Sequence, residues 1–230
     1  MKKALLLVVA ALLGGFSLGT LFGSGFSFAS TAASSYAVSS PGYVLNARQV
    51  EEVQPAQAAP KAVEPVPLTE RADMVLDALK EGDYTTLSTL VHPEKGVTLT
   101  PYSTVNTDCD RTLLPEQVAG LPEDTSAYLW GIEDGVGTPI ELTGTEYFAR
   151  YVFNADYTAA PHQGVDSILM QGNALENVFS AYPEGRFVEY HFPGLDASLE
   201  GYDWCSLKTV FELYQNQWYL VGLIHSEWTI

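Results

Sequence analysis

The 230-residue sequence has little cysteine and little positive charge. Its only cysteines are Cys109 and Cys205. Because bacterial lipid attachment needs a cysteine just after an N-terminal apolar run, a lipoprotein is excluded. Residues 69–230 carry seven of the 11 basic side chains and 25 of the 28 acidic ones. Since binding to phosphates depends on Lys and Arg, this charge excludes a nucleic-acid partner.

Residues 69–230 also lack the common catalytic motifs. They contain no Gly-x-Ser-x-Gly elbow, no Ser-x-x-Lys pair, no phosphate loop and no His-Glu-x-x-His, which argues against the common serine hydrolases, penicillin-recognising enzymes, nucleotide enzymes and zinc proteases. Asn106 to Asp110 resembles the start of a calcium loop, but Arg111 replaces the required glycine and Gln117 the bidentate glutamate. We therefore predict no cofactor and no metal, and favour a non-catalytic protein.

The first 30 residues are the strongest signal that is present. Lys2 and Lys3 precede an uncharged run from Ala4 to Ser30, which is typical of an export signal. Small residues at Ser27 and Ala29 suit a signal peptidase, yet the run is also long enough to span a bilayer as a helix. Residues 1–30 are thus either a signal peptide or a membrane anchor, and we expect a secreted or anchored extracytoplasmic protein whose only membrane contact is this segment, if it is uncleaved.

Two further segments follow. Residues 31–68 are rich in Ala, Ser and Pro without a helical or strand period, which predicts a flexible linker. Residues 69–230 have the size of one ordinary domain. In an oxidising compartment, Cys109 and Cys205 are candidates for a disulfide. The alternative is two isolated thiols, because Cys205 lies in an apolar strand-like run.

Hydrophobic periodicity predicts helices first and strands later. Thr69 and Asp83 can each cap a helix, and Gly82 can end the first one. Further patterns predict strands and helices that alternate up to residue 182, with a short helix or turn over residues 113–121, a helix over residues 143–153 and a loop over residues 154–172. Aromatic and β-branched residues then predict three long strands, of which the last two form an antiparallel hairpin: Arg186–Phe192, Trp204–Tyr214 and Trp218–Thr229. The predicted class is α+β, with N-terminal helices packed on a strongly curved antiparallel sheet whose last strand is covered on both faces.

This order of elements resembles the cone-shaped NTF2-like superfamily. Leu90-Val91-His92-Pro93-Glu94-Lys95-Gly96-Val97 and the segment from Trp218 to Ile230 are similar to uncharacterised exported proteins of Gram-positive bacteria. The resemblance covers residues 69–230 and implies an NTF2-like fold. Because that superfamily includes dehydratases and isomerases as well as binding domains, the resemblance selects no function.

Two pairs of residues are candidates for chemistry. Glu189 and His191 lie two apart on one predicted strand, as do His225 and Glu227 on another, so each pair shares a face of its strand. If the strands are neighbours in register, the four side chains could converge on a divalent metal or form an acid/base pair. The alternative is that they are only the polar residues of a wetter face.

The aromatic residues allow two interpretations as well. Seven of them could line a pocket or form the core, and we favour the core: Tyr128, Trp130, Tyr147, Tyr151, Trp204, Trp218 and Trp228. Taken together, the sequence favours an extracytoplasmic, non-catalytic domain that binds a small ligand or a protein partner at the cell envelope. The alternative is a small dehydratase or isomerase with His225 or His191 as its base. The oligomeric state is not predicted.

Overall fold

The computed structural model describes residues 64–229. The predicted signal or anchor of residues 1–30 lies outside them, as does most of the predicted linker. The described part opens with two helices, α1 (Leu68–Glu81) and α2 (Tyr84–Leu90). None of the helices within residues 64–229 is long and apolar enough to cross a bilayer.

Local sequence signals explain the ends of these helices. Gly82 adopts a φ of 65°, and its N–H bonds to the carbonyls of Ala78 and Leu79, so α1 ends where the sequence predicts. The Asp83 carboxylate accepts a hydrogen bond of 2.9 Å from the Thr86 N–H and caps α2. One face of α1 is buried against the sheet through its apolar stripe: Ala72, Val75, Leu76 and Leu79.

Within residues 64–229, eight strands form two sheets. The strands are β1 (Val97–Thr100), β2 (Arg111–Leu113), β3 (Ala127–Ile132), β4 (Pro139–Thr143), β5 (His162–Val165), β6 (Arg186–Phe192), β7 (Cys205–Tyr214) and β8 (Gln217–Glu227). The six-stranded sheet has the order β2-β1-β8-β7-β6-β5, and β3 and β4 form the two-stranded sheet. The strand pairs of both sheets are antiparallel except β1 with β8, which are parallel. The α+β class is therefore confirmed, with one parallel pair in the otherwise antiparallel sheet.

The hairpin between β7 and β8 has a two-residue turn and a β-bulge. Gln215 and Asn216 both have positive φ, and Tyr214 pairs with Gln217. The register shifts between Val210 and Phe211 of β7, which leaves an extra residue, Val221, in β8. Such a bulge bends its strand and increases the local twist.

Both faces of the six-stranded sheet are covered. The sequence predicts this, because large apolar residues occupy both alternating sets of positions in the last strand. The face that packs on α1, which we call the helix face, belongs to the larger core and includes Leu207 and Leu223. The opposite face packs on residues 166–177, which we call the strap, and on α5 (Val178–Ala181). A smaller core there includes Val210 and Ile224.

The central part of the chain differs from the prediction in places. The predicted loop of residues 154–172 contains the edge strand β5. The predicted helix of residues 143–153 is a short helix, α4 (Gly144–Tyr147), that continues into a π-helical turn, Phe148–Val152. The predicted short helix of residues 113–121 is present as α3 (Pro115–Ala119).

Candidate functional site

The four predicted site residues lie on opposite faces of the sheet. Strand β7 separates β6 from β8, so the two pairs are not on neighbouring strands. His191 pairs with Ser206, which pairs with Ser226, whereas His225 pairs with Leu207. Since directly paired residues share a face, His191 and Glu189 face the strap while His225 and Glu227 lie on the helix face. The predicted convergence is therefore wrong, because β7 lies between the two strands and the sheet alternates its side chains.

Glu189 belongs to a buried charged group beneath the strap. Lys208 and Glu189 are both fully buried. The Lys208 ammonium lies 2.8 Å from Glu176 Oε2 and 3.7 Å from Glu189 Oε1. The second Glu189 oxygen accepts the Leu169 N–H at 2.9 Å. Burial raises the pKa of Glu189, while Lys208 opposes that shift.

Sequence reasoning did not identify Lys208 or Glu176. Their signal was available, because Lys208 is the one charged residue in the apolar run from Trp204 to Phe211. A charge in such a strand needs a buried partner, but the strand does not say which carboxylate supplies it. Through Glu176, this group fastens the strap to the sheet.

His225 is the most enclosed histidine. It is fully buried, and its Nδ1 donates to the carbonyl of Pro101 at 3.1 Å. Its Nε2 has no hydrogen-bond partner and lies 3.9 Å from Glu227 Oε2. Desolvation lowers the pKa of His225 to about 4, although the Glu227 carboxylate acts in the opposite direction. The ring is therefore neutral at pH 7.

Glu227 is held by an arginine and adjoins a group of tyrosines. Arg150 donates to both Glu227 oxygens, at 3.1 and 2.7 Å. The guanidinium carbon lies 4.5 Å from the centre of the Tyr151 ring. Tyr151 in turn contacts His225 and Tyr102 edge to face, with ring centres 5.8 and 6.0 Å apart. Glu227 is thus paired with a half-exposed arginine.

A His225→Gln variant is expected to lose part of the pH dependence of stability. The fold favours the neutral ring. Between about pH 6.5 and 4, an unfolded chain therefore takes up a proton that the folded chain does not. As the pH falls through that window, this histidine lowers the free energy of unfolding. A shift of this size corresponds to roughly 3 kcal/mol. Urea unfolding at pH 7 and pH 4 measures the change in unfolding free energy between the two pH values. An equal change in the variant and the unaltered protein would contradict the assignment.

A large cleft lies at the end of β1, between the β3–β4 hairpin and the strap. Its volume is about 890 Å³. Three segments line it: residues 101–110, residues 129–137, and Asn173, Ala174 and Leu175 of the strap. Thr229 connects two of its walls, since its hydroxyl donates to Asp134 at 2.7 Å and its carbonyl accepts from Asn173 at 2.6 Å.

In the part of the chain that the structure describes, the charged side chains that line this cleft are all acidic. Asp110 accepts hydrogen bonds from the Thr100 hydroxyl and the Asn106 N–H, and burial raises its pKa. Asp134 accepts from Thr229. Glu133 is half-buried. Burial raises the pKa of the Tyr151 phenol, and the Glu133 charge adds a smaller contribution in the same direction. The apolar part of the lining includes Leu129, Ile132 and Leu175, each exposed by more than half.

Neither the predicted site residues nor the aromatics line this cleft. His225, Glu227, Glu189 and His191 are absent from its walls, and so are the seven aromatic residues considered from the sequence. Trp130 and Tyr147 stack with ring centres 4.3 Å apart and are fully buried, as a core position requires. Tyr102 is the aromatic residue that reaches the cleft.

Of the two alternatives for the cysteines, the structure does not have the disulfide. Both cysteines are free, with Cys109 exposed on the wall of the cleft and Cys205 buried at the start of β7. Cys205 lies on the helix face, since it pairs with Glu227. Burial raises the pKa of its thiol, while hydrogen bonding to Tyr157 opposes the shift. The alternative of two isolated thiols is the one that the structure has. In residues 64–229, no group of three His, Cys, Asp or Glu side chains is placed to hold a metal ion.

Comparison with known proteins gives no family model and no curated protein that matches this chain. Among solved structures, an NTF2-like protein from Cytophaga hutchinsonii is similar at 10% identity, with 69% of this chain and 93% of that chain covered and a TM-score of 0.33. An NTF-2 like protein of unknown function from Shewanella oneidensis is similar at 8% identity, 69% and 95% coverage and a TM-score of 0.32. A proposed NTF2-like dehydratase from Streptomyces avermitilis is similar at 12% identity, 70% and 94% coverage and a TM-score of 0.28. These structures carry the name of the superfamily that the sequence resembles, but no residue role is transferred from them.

Proposed function

We propose that this protein is a non-catalytic, extracytoplasmic binding protein whose cleft takes a small amphiphile with a positively charged head. The single observation that carries the proposal is the large cleft, which combines apolar walls with acidic side chains and, among residues 64–229, has no lysine, arginine or histidine in its lining. A pocket of this size is in the usual range for small ligands. The extracytoplasmic location rests on the predicted export segment of residues 1–30.

The head group follows from the surroundings of Glu133. Asp110 and Asp134 already accept hydrogen bonds from the protein, whereas Glu133 has no side-chain hydrogen bond or ion pair among the contacts described for it. Tyr102 lines the same cleft as Glu133 and contacts Tyr151. A carboxylate and a phenol ring on one cleft suit an ammonium group, through charge attraction and cation–π contact. An anion in this place would face three carboxylates.

The apolar walls indicate that the rest of the ligand is a hydrocarbon chain. Leu129, Ile132 and Leu175 offer aliphatic surface around the opening, and a hydrocarbon chain that covers it gains about 25 cal/mol for each Å² removed from water. A single exposed aliphatic side chain needs no explanation, but three around one cleft indicate a binding surface. The proposed ligand class is therefore an alkylammonium or a related cationic amphiphile, free or displayed by an envelope partner.

A Glu133→Gln variant is expected to bind decyltrimethylammonium about tenfold more weakly than the unaltered protein, which corresponds to about 1.4 kcal/mol. The change keeps the shape of the side chain and removes the charge that the head group contacts. Isothermal titration measures the affinity. Decanoate is the matched anionic probe, and we expect no binding of it.

Two controls make this test specific. Glu141 lies on the same hairpin, exposed and outside the cleft, so Glu141→Gln should leave the affinity unchanged. Because Cys109 is exposed on the cleft wall and Cys205 is buried, a bound amphiphile should slow the reaction of Cys109 with a thiol reagent. Equal binding of both probes, or equal loss in both variants, would refute the proposed head-group site.

The alternative enzyme is less well supported. A base must reach the proton that it removes, and His225 is enclosed, hydrogen-bonded to Pro101 and outside the large cleft. His191 reaches a different, smaller cleft beneath the strap. A dehydratase or isomerase that uses His225 remains a prediction. It would require that His225→Gln abolish an activity while the variant keeps its fold.

A further inference from the structure

Two histidines lie side by side at the edge of the six-stranded sheet. His162 of the edge strand β5 pairs directly with His191 of β6, and their rings stack with centres 6.0 Å apart at an angle of 27°. Since paired residues share a face, both imidazoles project to the strap side. Both line a cleft of about 470 Å³, together with Pro161, Gln163 and Leu169. Among the described residues, no lysine or arginine lines this cleft.

A hydrogen bond behind His191 fixes the orientation of its ring. His191 Nδ1 lies 2.9 Å from the Ser206 hydroxyl. When Nδ1–H donates to the hydroxyl oxygen, the free lone pair of the ring lies on Nε2. A hydrogen bond on one ring nitrogen that leaves the other free is typical of metal-binding histidines.

The spacing of the two rings suits one shared metal ion. With metal–nitrogen bonds of about 2.0 to 2.1 Å, two imidazoles on one tetrahedral ion have ring centres roughly 5 Å apart, and a wider bond angle brings them to about 6 Å. His162 is exposed, so its side chain can make the remaining adjustment. His191 is held in place and supplies the fixed ligand.

We propose that His162 and His191 together bind one divalent transition-metal ion, with water completing the coordination. The ion belongs to the class that prefers imidazole, such as Cu²⁺, Ni²⁺ or Zn²⁺. The net charge of the protein, −17, favours the approach of a cation. Because the site has only two protein ligands and imposes little geometry, its affinities follow the intrinsic order, with Cu²⁺ bound most tightly. The ion fastens the edge strand β5 to β6.

The test is a titration of the full chain with Cu²⁺, in a Cys109→Ser background that removes the exposed thiol. We expect one Cu²⁺ for each chain, an electron paramagnetic resonance spectrum with two imidazole nitrogens, and weaker binding of Zn²⁺. His162→Gln should weaken Cu²⁺ binding at least tenfold. His162 is exposed, so this variant does not depend on the tolerance of the core.

His92→Gln is the matched control, because the chain has four histidines and His92 is buried elsewhere, with its Nδ1 accepting from the N–H groups of Glu94 and Lys95. It should leave Cu²⁺ affinity unchanged. His191→Gln should weaken binding as His162→Gln does. Affinity within twofold of the unaltered protein in His162→Gln, or a spectrum without two imidazole nitrogens, would overturn the proposal.

Discussion

A Lys208→Met variant is expected to lose about 3 to 5 kcal/mol of unfolding free energy at pH 7. Lys208 is fully buried, and its ammonium contacts Glu176, Glu189 and the Ser226 hydroxyl. Methionine keeps most of the volume but leaves the buried carboxylates without their cation. The loss arises from those unpaired charges, and urea unfolding measures it.

Matched variants separate the buried charge from charge in general. Lys95 pairs with Glu212 at the surface, with half of the lysine side chain exposed, so Lys95→Met should cost no more than about 1 kcal/mol. Adding Glu176→Gln and Glu189→Gln to Lys208→Met should restore part of the loss, because the orphaned charges are then removed. An equal loss of unfolding free energy in Lys208→Met and Lys95→Met would show that the buried charged group stabilises the fold no more than a surface ion pair does.

The same group should affect the cleft. Glu176 follows directly after Leu175, which lines the large cleft, and it joins the strap to Lys208. Loss of this ion pair removes one attachment of the cleft wall. We therefore expect Lys208→Met to weaken the binding of decyltrimethylammonium as well, under conditions in which the variant is still folded.

Trp130→Ala is expected to destabilise the protein by about 3 to 5 kcal/mol. The Trp130 ring is fully buried, stacks on Tyr147 at 4.3 Å, and donates from Nε1 to the Leu142 carbonyl at 2.8 Å. Alanine leaves a cavity and an unpaired carbonyl. Because β3 also carries Leu129 and Ile132, the variant should lose affinity for the cationic probe too. Thermal and urea unfolding measure the first effect, and titration the second.

Trp228 provides the comparison for this prediction. It is 42% exposed and contacts the exposed Tyr202 ring. Trp228→Ala removes the same side chain from a partly solvated place, so it should cost much less than Trp130→Ala. A similar loss of unfolding free energy in the two variants would contradict the inference that the buried Trp130 ring anchors the β3–β4 hairpin.

Local signals predicted much of the fold. The ends of α1 and α2 depend on Gly82 and Asp83, whose conformation and capping bonds are decided within a few residues. The hairpin between β7 and β8 was also predicted, because its strands adjoin in sequence. The edge strand β5 was missed, since its sequence His162-Gln163-Gly164-Val165 is short and polar and contains a glycine. Only its neighbour β6 makes it a strand.

The candidate site could not be predicted in the same way. The convergence of Glu189 and His191 with His225 and Glu227 depended on strand order, which is decided by contacts distant in sequence. The cleft likewise combines segments near residues 105, 132 and 174. The periodicity within one segment does not predict which distant segments lie next to it in the fold. What the sequence did indicate correctly is the prevalence of acidic side chains, which now defines the lining of the cleft.

The bulge at Val221 has a consequence for finding relatives of this protein. Leu220 lies on the helix face with Leu223, whereas Val221 belongs to the core beneath the strap. Strict alternation from Val221 would therefore assign His225 to the strap side, although it pairs with Leu207 on the helix face. In an alignment, a homologue without the bulge should show a one-residue gap near this position. In that homologue, the residue equivalent to His225 would keep the same place in the sheet, but its residue number would be lower by one.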